Sequence, residues 1–234
     1  TEKCKTPVFH AVSTFDILNE MFIRSKFHFG IADERELAGK MIDAVAQDVY
    51  YKDEPQIWIF DRGFPSLSLI QKLLEHRLYF VMRVSSSFLK EVNAFRKSKY
   101  VDRVIHIEYS ERRATQNHVH SDGISQFDLR CVRVKLPSGE DEILVTNLDR
   151  KDFPKRDIKE IYRLRWGIET GFNYLKNAVF VEEFVSKTEN GLAQDYFVSL
   201  LVYNFATCIC GSMYPNIPKK ENTSTRSIEE LPPD

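Results

Sequence analysis

The segment from Gln56 to Val84 constrains the fold most. Gln56-Ile57-Trp58-Ile59-Phe60 is a short apolar run, best read as a buried strand. It ends at Asp61-Arg62-Gly63-Phe64-Pro65-Ser66, where Ser66 is placed to cap a helix running through His76. Tyr79-Phe80-Val81-Met82-Arg83-Val84 then reads as a second strand. Strand, helix and strand at this spacing indicate a crossover unit and an α/β core.

The chain has 234 residues, enough for one large domain or one domain with a sizeable insertion. Its 33 Lys and Arg against 34 Asp and Glu leave a formal charge of -1. Global charge therefore gives no support for nucleic-acid binding, and any basic surface must be local. The apolar runs are too short and too often broken by charge to span a bilayer. The chain opens on Thr1, without a charged-then-apolar leader, and an N-terminal piece is expected to be missing. Cys4, Cys131, Cys208 and Cys210 form no C-x-x-C pair. Cys208 and Cys210 lie in an apolar helical run and are expected as buried free thiols. This usage fits a reducing cytoplasm.

Other elements follow from local signals. Residues 7–12 and about 20–29 read as strands. Asp33-Glu34-Arg35-Glu36 is a capping box opening a helix through about Val49. Val101–Tyr109, Phe127–Leu136 and Glu142–Asn147 read as β, with a polar loop over Ser110–Ser125. Pro137-Ser138-Gly139-Glu140 is a turn that would pair the last two as a hairpin. Asp157-Ile158-Lys159-Glu160 is a second capping box, opening a helix to about Asn177. Gly191 to about Gly211 reads as a long, mostly apolar helix, and the Pro-rich tail after Met213 is expected to be disordered.

The helix to Asn177 carries the chemistry. Tyr162, Arg165, Glu169 and Lys176 are three, four and seven positions apart, steps that keep residues on one side of a continuous helix. Ile161, Leu164, Ile168, Phe172 and Leu175 form a neighbouring apolar stripe. A carboxylate can hold a divalent cation, and two cations and a phenol can hold phosphate oxygens. Taken singly, each has a blander reading. Asp61 at a strand end would cap the next turn, Glu169 would be a solvated glutamate, and Arg165–Glu169 would be a surface ion pair. Taken together, Asp61 and Glu169 offer the hard oxygen ligands that suit Mg²⁺ or Mn²⁺. Such ions activate a water or 3′-hydroxyl for in-line displacement at phosphorus.

Tyr162, Arg165, Glu169 and Lys176 match the Y-(2)-R-(3)-E-(6)-K signature and so resemble the DDE transposases of the insertion sequence 4 family. Asp61-Arg62-Gly63-Phe64 resembles that family's second-Asp motif. Phe15-Asp16-Ile17-Leu18-Asn19, Asp33-Glu34-Arg35, Thr146-Asn147-Leu148 and Arg165-Trp166-Gly167-Ile168-Glu169 look like family stretches too. The resemblance covers roughly residues 1–212. It implies an α/β, ribonuclease H-like core interrupted by a β-rich insertion, with a C-terminal helix. On this reading residues 1–84 and 149–212 are the two parts of the core, 85–148 is the insertion and 213–234 is the tail.

The resemblance further implies that Asp61 and Glu169 are catalytic and hold metal, with two Mg²⁺ or Mn²⁺ ions expected. Tyr162, Arg165 and Lys176 would bind DNA phosphates. The implied reaction is metal-dependent strand cleavage and transfer at transposon ends, by cut-and-paste. The implied partners are double-stranded DNA, as terminal inverted repeats and as target, and a second copy of the chain on DNA. A bacterial cytoplasmic protein, nucleoid-associated when on DNA, is expected, with no membrane partner. The family's first catalytic Asp has no match, since Asp16 corresponds to a segment downstream of it. That Asp is expected before Thr1. A rival reading is a non-catalytic remnant that binds DNA or a protein. A stand-alone restriction-type metal nuclease is disfavoured by the separation of Asp61 from Glu169.

Overall fold

The computed structural model describes residues 9–30, 32–108, 126–135, 139–178, 186 and 188–213. The expected strand residues 7 and 8, the loop after Glu108 and the tail after Met213 lie outside them. So do Cys4 and the first two residues of the expected 137–140 turn. The chain is mixed α/β and divides into two compact units, Thr1–Met41 with Trp166–Glu221, and Ile42–Arg165 with Asn222–Asp234. The helix expected after Asp33 is α1 (Glu34–Ala46).

In the first unit, β1 (Phe9–Asp16) and β2 (Met21–Phe29) pair as an antiparallel hairpin. Asp16 shapes its turn, accepting from the N–H groups of Leu18 and Asn19 at 3.0 and 3.1 Å and from Asn19 Nδ2 at 2.6 Å. The register passes from Thr14–Arg24 to Phe15–Phe22, so Ile23 is an extra residue on β2. This bulge puts Phe22 on the face of Ala11, Ser13, Ser25 and Phe27, although Phe22 and Arg24 share parity. That inner face packs on α5 (Trp166–Ala178) and on the long α6 (Glu189–Met213), in a core of Phe22, Leu175, Tyr196, Leu200 and Tyr203. The Tyr196 hydroxyl lies 2.8 Å from those of Ser13 and Ser25. Asn204 takes the Phe22 N–H at 2.9 Å and donates to its carbonyl at 2.8 Å, which satisfies the backbone at the bulge. Gly167 and Gly171 let α5 approach the hairpin closely. A Cβ at Gly167 would meet Ile17 at 3.2 Å, and one at Gly171 would meet Phe15 at 3.1 Å.

Cys208 and Cys210 are exposed, not buried as expected. Cys208 lies well round the helix from the face of α6 that buries Leu192, Tyr196, Leu200 and Tyr203, whereas Cys210 falls on that face by spacing but in a last stretch, residues 208–212, that is exposed on every side. An apolar run marks a helix without saying which of its sides is covered.

In the second unit, β3 (Ile57–Phe60), α2 (Leu67–Glu75) and β4 (Tyr79–Arg83) form the expected crossover, with β3 and β4 parallel. Ser66 is the N-cap, its hydroxyl accepting the Leu69 N–H at 3.2 Å. Ser66→Ala is expected to cost about 1 kcal/mol, read as a lower urea midpoint with an unchanged slope. β5 (Asp102–Glu108), β6 (Gln126–Lys135) and β7 (Asp141–Thr146) are antiparallel, and β7 pairs with β4. One five-stranded sheet results, in the order β3-β4-β7-β6-β5. The β stretch read from the sequence is thus continuous with the crossover strands. Between β4 and β5 lies α3 (Lys90–Lys97), which buries Val92 and Phe95. It has no counterpart among the expected elements, because eight residues give too little periodicity to read.

Thr146-Asn147-Leu148 closes the β4–β7 seam. Asn147 accepts the Phe80 N–H and donates to the Leu78 carbonyl, both at 2.9 Å, and the Thr146 hydroxyl donates to the Phe80 carbonyl at 2.5 Å. Arg130 on β6 is 3% exposed and forks onto equally buried Asp102, at 3.0 and 2.9 Å. Its Nη1 donates to the carbonyls of Leu148, Asp149 and Phe153, at 3.1, 3.1 and 2.7 Å. These bonds hold the segment that leads to Pro154, the N-cap of α4 (Lys155–Arg163). The helix therefore starts ahead of Asp157, which sits in its first turn and is not its cap.

One helix was expected from Asp157 to Asn177, and two are found, α4 and α5. The chain tightens at the end of α4. The Leu164 N–H reaches both the Glu160 and Ile161 carbonyls, at 3.2 and 3.1 Å, and the Arg165 N–H reaches Tyr162 at 3.2 Å. These i→i−3 bonds end the helical ladder two residues before Gly167, a weak helix former. No helix among the described residues is long and apolar enough to cross a membrane.

Candidate functional site

Register places the site. β3 and β4 pair Ile57 with Tyr79 and Ile59 with Val81. Continued by two residues, the same register sets Asp61, just past β3, beside Arg83 at the end of β4. Both point to the face of Val81, Val132, Val134 and Leu144, which α4 covers with Ile158, Ile161 and Tyr162. Glu142 on β7 lies on that face too, two residues from Leu144, the partner of Arg83.

The Tyr162 ring packs on this core while its hydroxyl donates to Asp61 Oδ1 at 3.1 Å. Arg165, in the turn after α4, brings Nη1 to 3.8 Å from Asp61 Oδ2, with its guanidinium 5.8 Å from the Tyr162 ring centroid. Arg83 Nη1 is 3.9 Å from Asp61 Oδ1, and Arg83 Nε pairs with Glu142. The Arg62 N–H also donates to Asp61, at 2.7 Å. One carboxylate is thus ringed by a phenol, two guanidiniums and a backbone donor.

Burial raises the Asp61 carboxyl, but the Arg62 N–H, the Arg165 charge, the Tyr162 hydroxyl and the Arg83 charge together hold it below the ordinary carboxylate value. A folded value below the unfolded one stabilises the protein above the usual carboxylate range, and that gain is lost as pH falls through the folded value. The stability difference between the native protein and Asp61→Asn should therefore be present at neutral pH and shrink as the pH falls through and below the ordinary carboxylate range. Equal differences at neutral and acid pH would contradict it. Burial first, and the Asp61 charge second, push the Tyr162 phenol up to about 12. It stays protonated at neutral pH and remains a donor.

Three of the residues singled out from the sequence, Asp61, Tyr162 and Arg165, are therefore brought together. Glu169 and Lys176 lie on α5, Glu169 half-buried in its first turn and Lys176 exposed two turns on. Seven positions apart, they share a side of that helix. The four signature residues do not lie on one helix, as expected, because of the break at Leu164 and Arg165. Two further residues, Arg83 and Glu142, escaped the sequence reading. A cation at the end of the strand parallel to β3 was a usable signal for Arg83; nothing local marks Glu142.

Asp61 suits Mg²⁺ or Mn²⁺ in donor type. Among the described residues, however, no group of three or more His, Cys, Asp or Glu is gathered to hold an ion. The residues present fit such an ion in kind and not in number.

Ligand sites of α/β sheets gather at the carboxyl ends of parallel strands, and here that edge carries an acidic residue among two guanidiniums and a phenol. The family model described as "Transposase DDE domain" matches residues 1–205, and the chain belongs to that family, the DDE transposases. "Putative transposase y4zB" of Sinorhizobium fredii is 26% identical over 149 residues, 62% of this chain and 40% of that protein. "Probable transposase for insertion sequence element IS5377" of Geobacillus stearothermophilus is 22% identical over 180 residues, 74% of this chain and 43% of that protein. "Putative transposase for insertion sequence element IS4SA" of Synechocystis is 22% identical over 182 residues, 75% of this chain and 46% of that protein. The chain spans less than half the length of these relatives.

Proposed function

We propose that the chain is catalytic sequence of a DNA transposase that cuts and joins strands at transposon ends, with Asp61 and Glu169 as catalytic carboxylates. The observation that carries this reading is the convergence of Tyr162 and Arg165 on Asp61 at the end of β3. The parallel crossover of β3, α2 and β4 supports a ribonuclease H-like core, in which α3 and β5–β7 belong to the insertion between Asp61 and Glu169. Asp61 and Glu169 would hold Mg²⁺ or Mn²⁺, two ions in the complete site, which would activate the attacking water or 3′-hydroxyl.

The remaining roles belong to side chains. The protonated Tyr162 hydroxyl fixes the Asp61 carboxylate and can donate to a phosphate oxygen. Arg165 offers a planar fork for bidentate phosphate contact, and Lys176 a point charge. Arg83, held by Glu142, adds a second guanidinium beside Asp61. The DNA is double-stranded, as terminal repeat and as target, and two copies of the chain act on paired ends.

The test is strand cleavage of terminal-repeat duplex by the full-length protein with Mg²⁺ or Mn²⁺. Glu169→Gln is expected to abolish cleavage while leaving DNA binding in place. Cleavage unchanged in Glu169→Gln would remove the assignment. Binding without cleavage by the native protein would favour the non-catalytic reading.

A further inference from the structure

We infer that Glu142 is a positioning residue: it competes with Asp61 for the Arg83 guanidinium and keeps that cation from closing on the carboxylate. The inference rests on the reading of Asp61 as a catalytic group. Register fixes the side chains. β4 and β7 pair Arg83 with Leu144, and β7 and β6 pair Glu142 with Val134, which puts Glu142 diagonally beside Arg83 on one face of the sheet. Asp61 flanks Arg83 on the other side, past the end of β3. One guanidinium thus stands between two carboxylates. Its Nε pairs with Glu142, and its Nη1 stops 3.9 Å from Asp61 Oδ1. Neither contact is a hydrogen bond: Nε is buried without one, and 3.9 Å is beyond hydrogen-bonding reach. Between these groups, charge and not directional bonding sets where Arg83 lies.

Burial decides the competition. The Glu142 side chain is 14% exposed and that of Asp61 45%. Attraction to the more buried carboxylate is less screened by water and salt. Without the Glu142 charge, Nη1 needs to move only about 1 Å to reach a charge-assisted bond to Asp61, which runs to roughly 2.7–2.9 Å. Asp61 Oδ1 already accepts from the Arg62 N–H at 2.7 Å and from the Tyr162 hydroxyl at 3.1 Å. A third donor would crowd that oxygen, and the Arg83 fork would be spent inside the protein. Drawn toward Glu142, Arg83 keeps donors for a phosphate and leaves Asp61 its lone pairs. Glu142 acts on the site through Arg83 and not by contact with the reacting atoms.

The experiment has two arms, both on the full-length protein. Urea unfolding of Arg83→Gln, Asp61→Asn and the pair measures their coupling, which needs neither DNA nor metal. In a Glu142→Gln background the coupling should exceed its value in the native background, because Arg83 then bonds Asp61. Equal coupling in the two backgrounds overturns the inference. The second arm is single-turnover cleavage of a terminal-repeat duplex. Glu142→Gln should slow it about 10-fold, the scale for a group that orients another, with little change in DNA affinity. In an Arg83→Gln background the same change should slow it no further. A further loss there would give Glu142 a role of its own and overturn the inference. That comparison holds even where Glu142→Gln alone fails to fold, since removing both charges strands neither. Glu140→Gln, an equal charge loss at an exposed site before β7, should keep the native rate, and a loss equal to that of Glu142→Gln overturns the inference as well. Native rates in Glu142→Gln beside an inactive Asp61→Asn end this inference alone, whereas native rates in Asp61→Asn end the catalytic reading.

Discussion

Asp61→Asn is expected to lower DNA strand cleavage by more than about 100-fold, while the protein stays folded and still binds DNA. Groups that only orient a metal ligand cost 10- to 100-fold when removed, so if Asp61 holds the metal as proposed, its loss should exceed that range. Asparagine keeps the shape and can still accept from the Arg62 N–H and the Tyr162 hydroxyl, so the local geometry survives. What disappears is the charge that faces Arg165 and Arg83. The carboxylate is 45% exposed, and such pairs contribute less than about 1 kcal/mol to stability. The variant should therefore unfold close to the native midpoint at pH 7. Tyr162→Phe is the companion, with an expected loss of about 10- to 100-fold because the phenol acts through Asp61. Both are measured as single-turnover cleavage rates on a terminal-repeat duplex with Mg²⁺. Native rates in Asp61→Asn would end the assignment.

Arg130→Met is expected to cost about 3–5 kcal/mol of stability, the largest effect of any single substitution considered for the fold. Methionine approximates the stem but strands the Asp102 carboxylate in a site 3% exposed. It also removes the donor that the carbonyls of Leu148, Asp149 and Phe153 share. Arg150, 3.4 Å from Asp102 through Nε, is largely exposed and cannot replace the lost fork. Arg130→Met/Asp102→Leu should recover much of the loss, since removing both charges leaves no buried ion uncompensated. Urea unfolding of the two variants and of Asp102→Leu alone separates the pair from its parts. Additive losses would show that the ion pair is not the source of the cost. Because Arg130 also anchors the approach to α4, Arg130→Met should blunt Tyr162-dependent cleavage even where the protein remains folded.

The crossover at one edge of the sheet was legible because each of its parts has a local cause. Ile57–Phe60 and Tyr79–Arg83 are dense in β-branched and aromatic residues, and Ser66 caps from its own side chain. Asp61, Tyr162 and Arg165 were legible as a set because type and spacing carry chemistry. The pairing of β7 with β4 was not, because alternation describes a strand's two faces and says nothing of its neighbour. Arg83 and Glu142 were missed for that reason, since they reach the site only through register across three strands. The break after Leu164 was missed because Tyr162, Arg165, Glu169 and Lys176 keep helical spacing through it, and spacing does not report hydrogen bonds. Thr146-Asn147-Leu148, marked in the sequence as a family stretch, turns out to bond β7 to β4.

The bulge at Ile23 gives the hairpin an asymmetric tolerance to genetic change. Any residue that accepts extended backbone can stand at position 23, since the position has no partner across the ribbon. Losing that codon would close the bulge: Phe22 and Arg24 would become neighbours, Thr14–Arg24 and Phe15–Phe22 would pair in one unbroken register, and each would keep its face. Losing a residue between Arg24 and Phe27 is another matter, since it would turn everything on one side of the gap to the opposite face. Length can therefore change at position 23 where elsewhere in β2 it cannot.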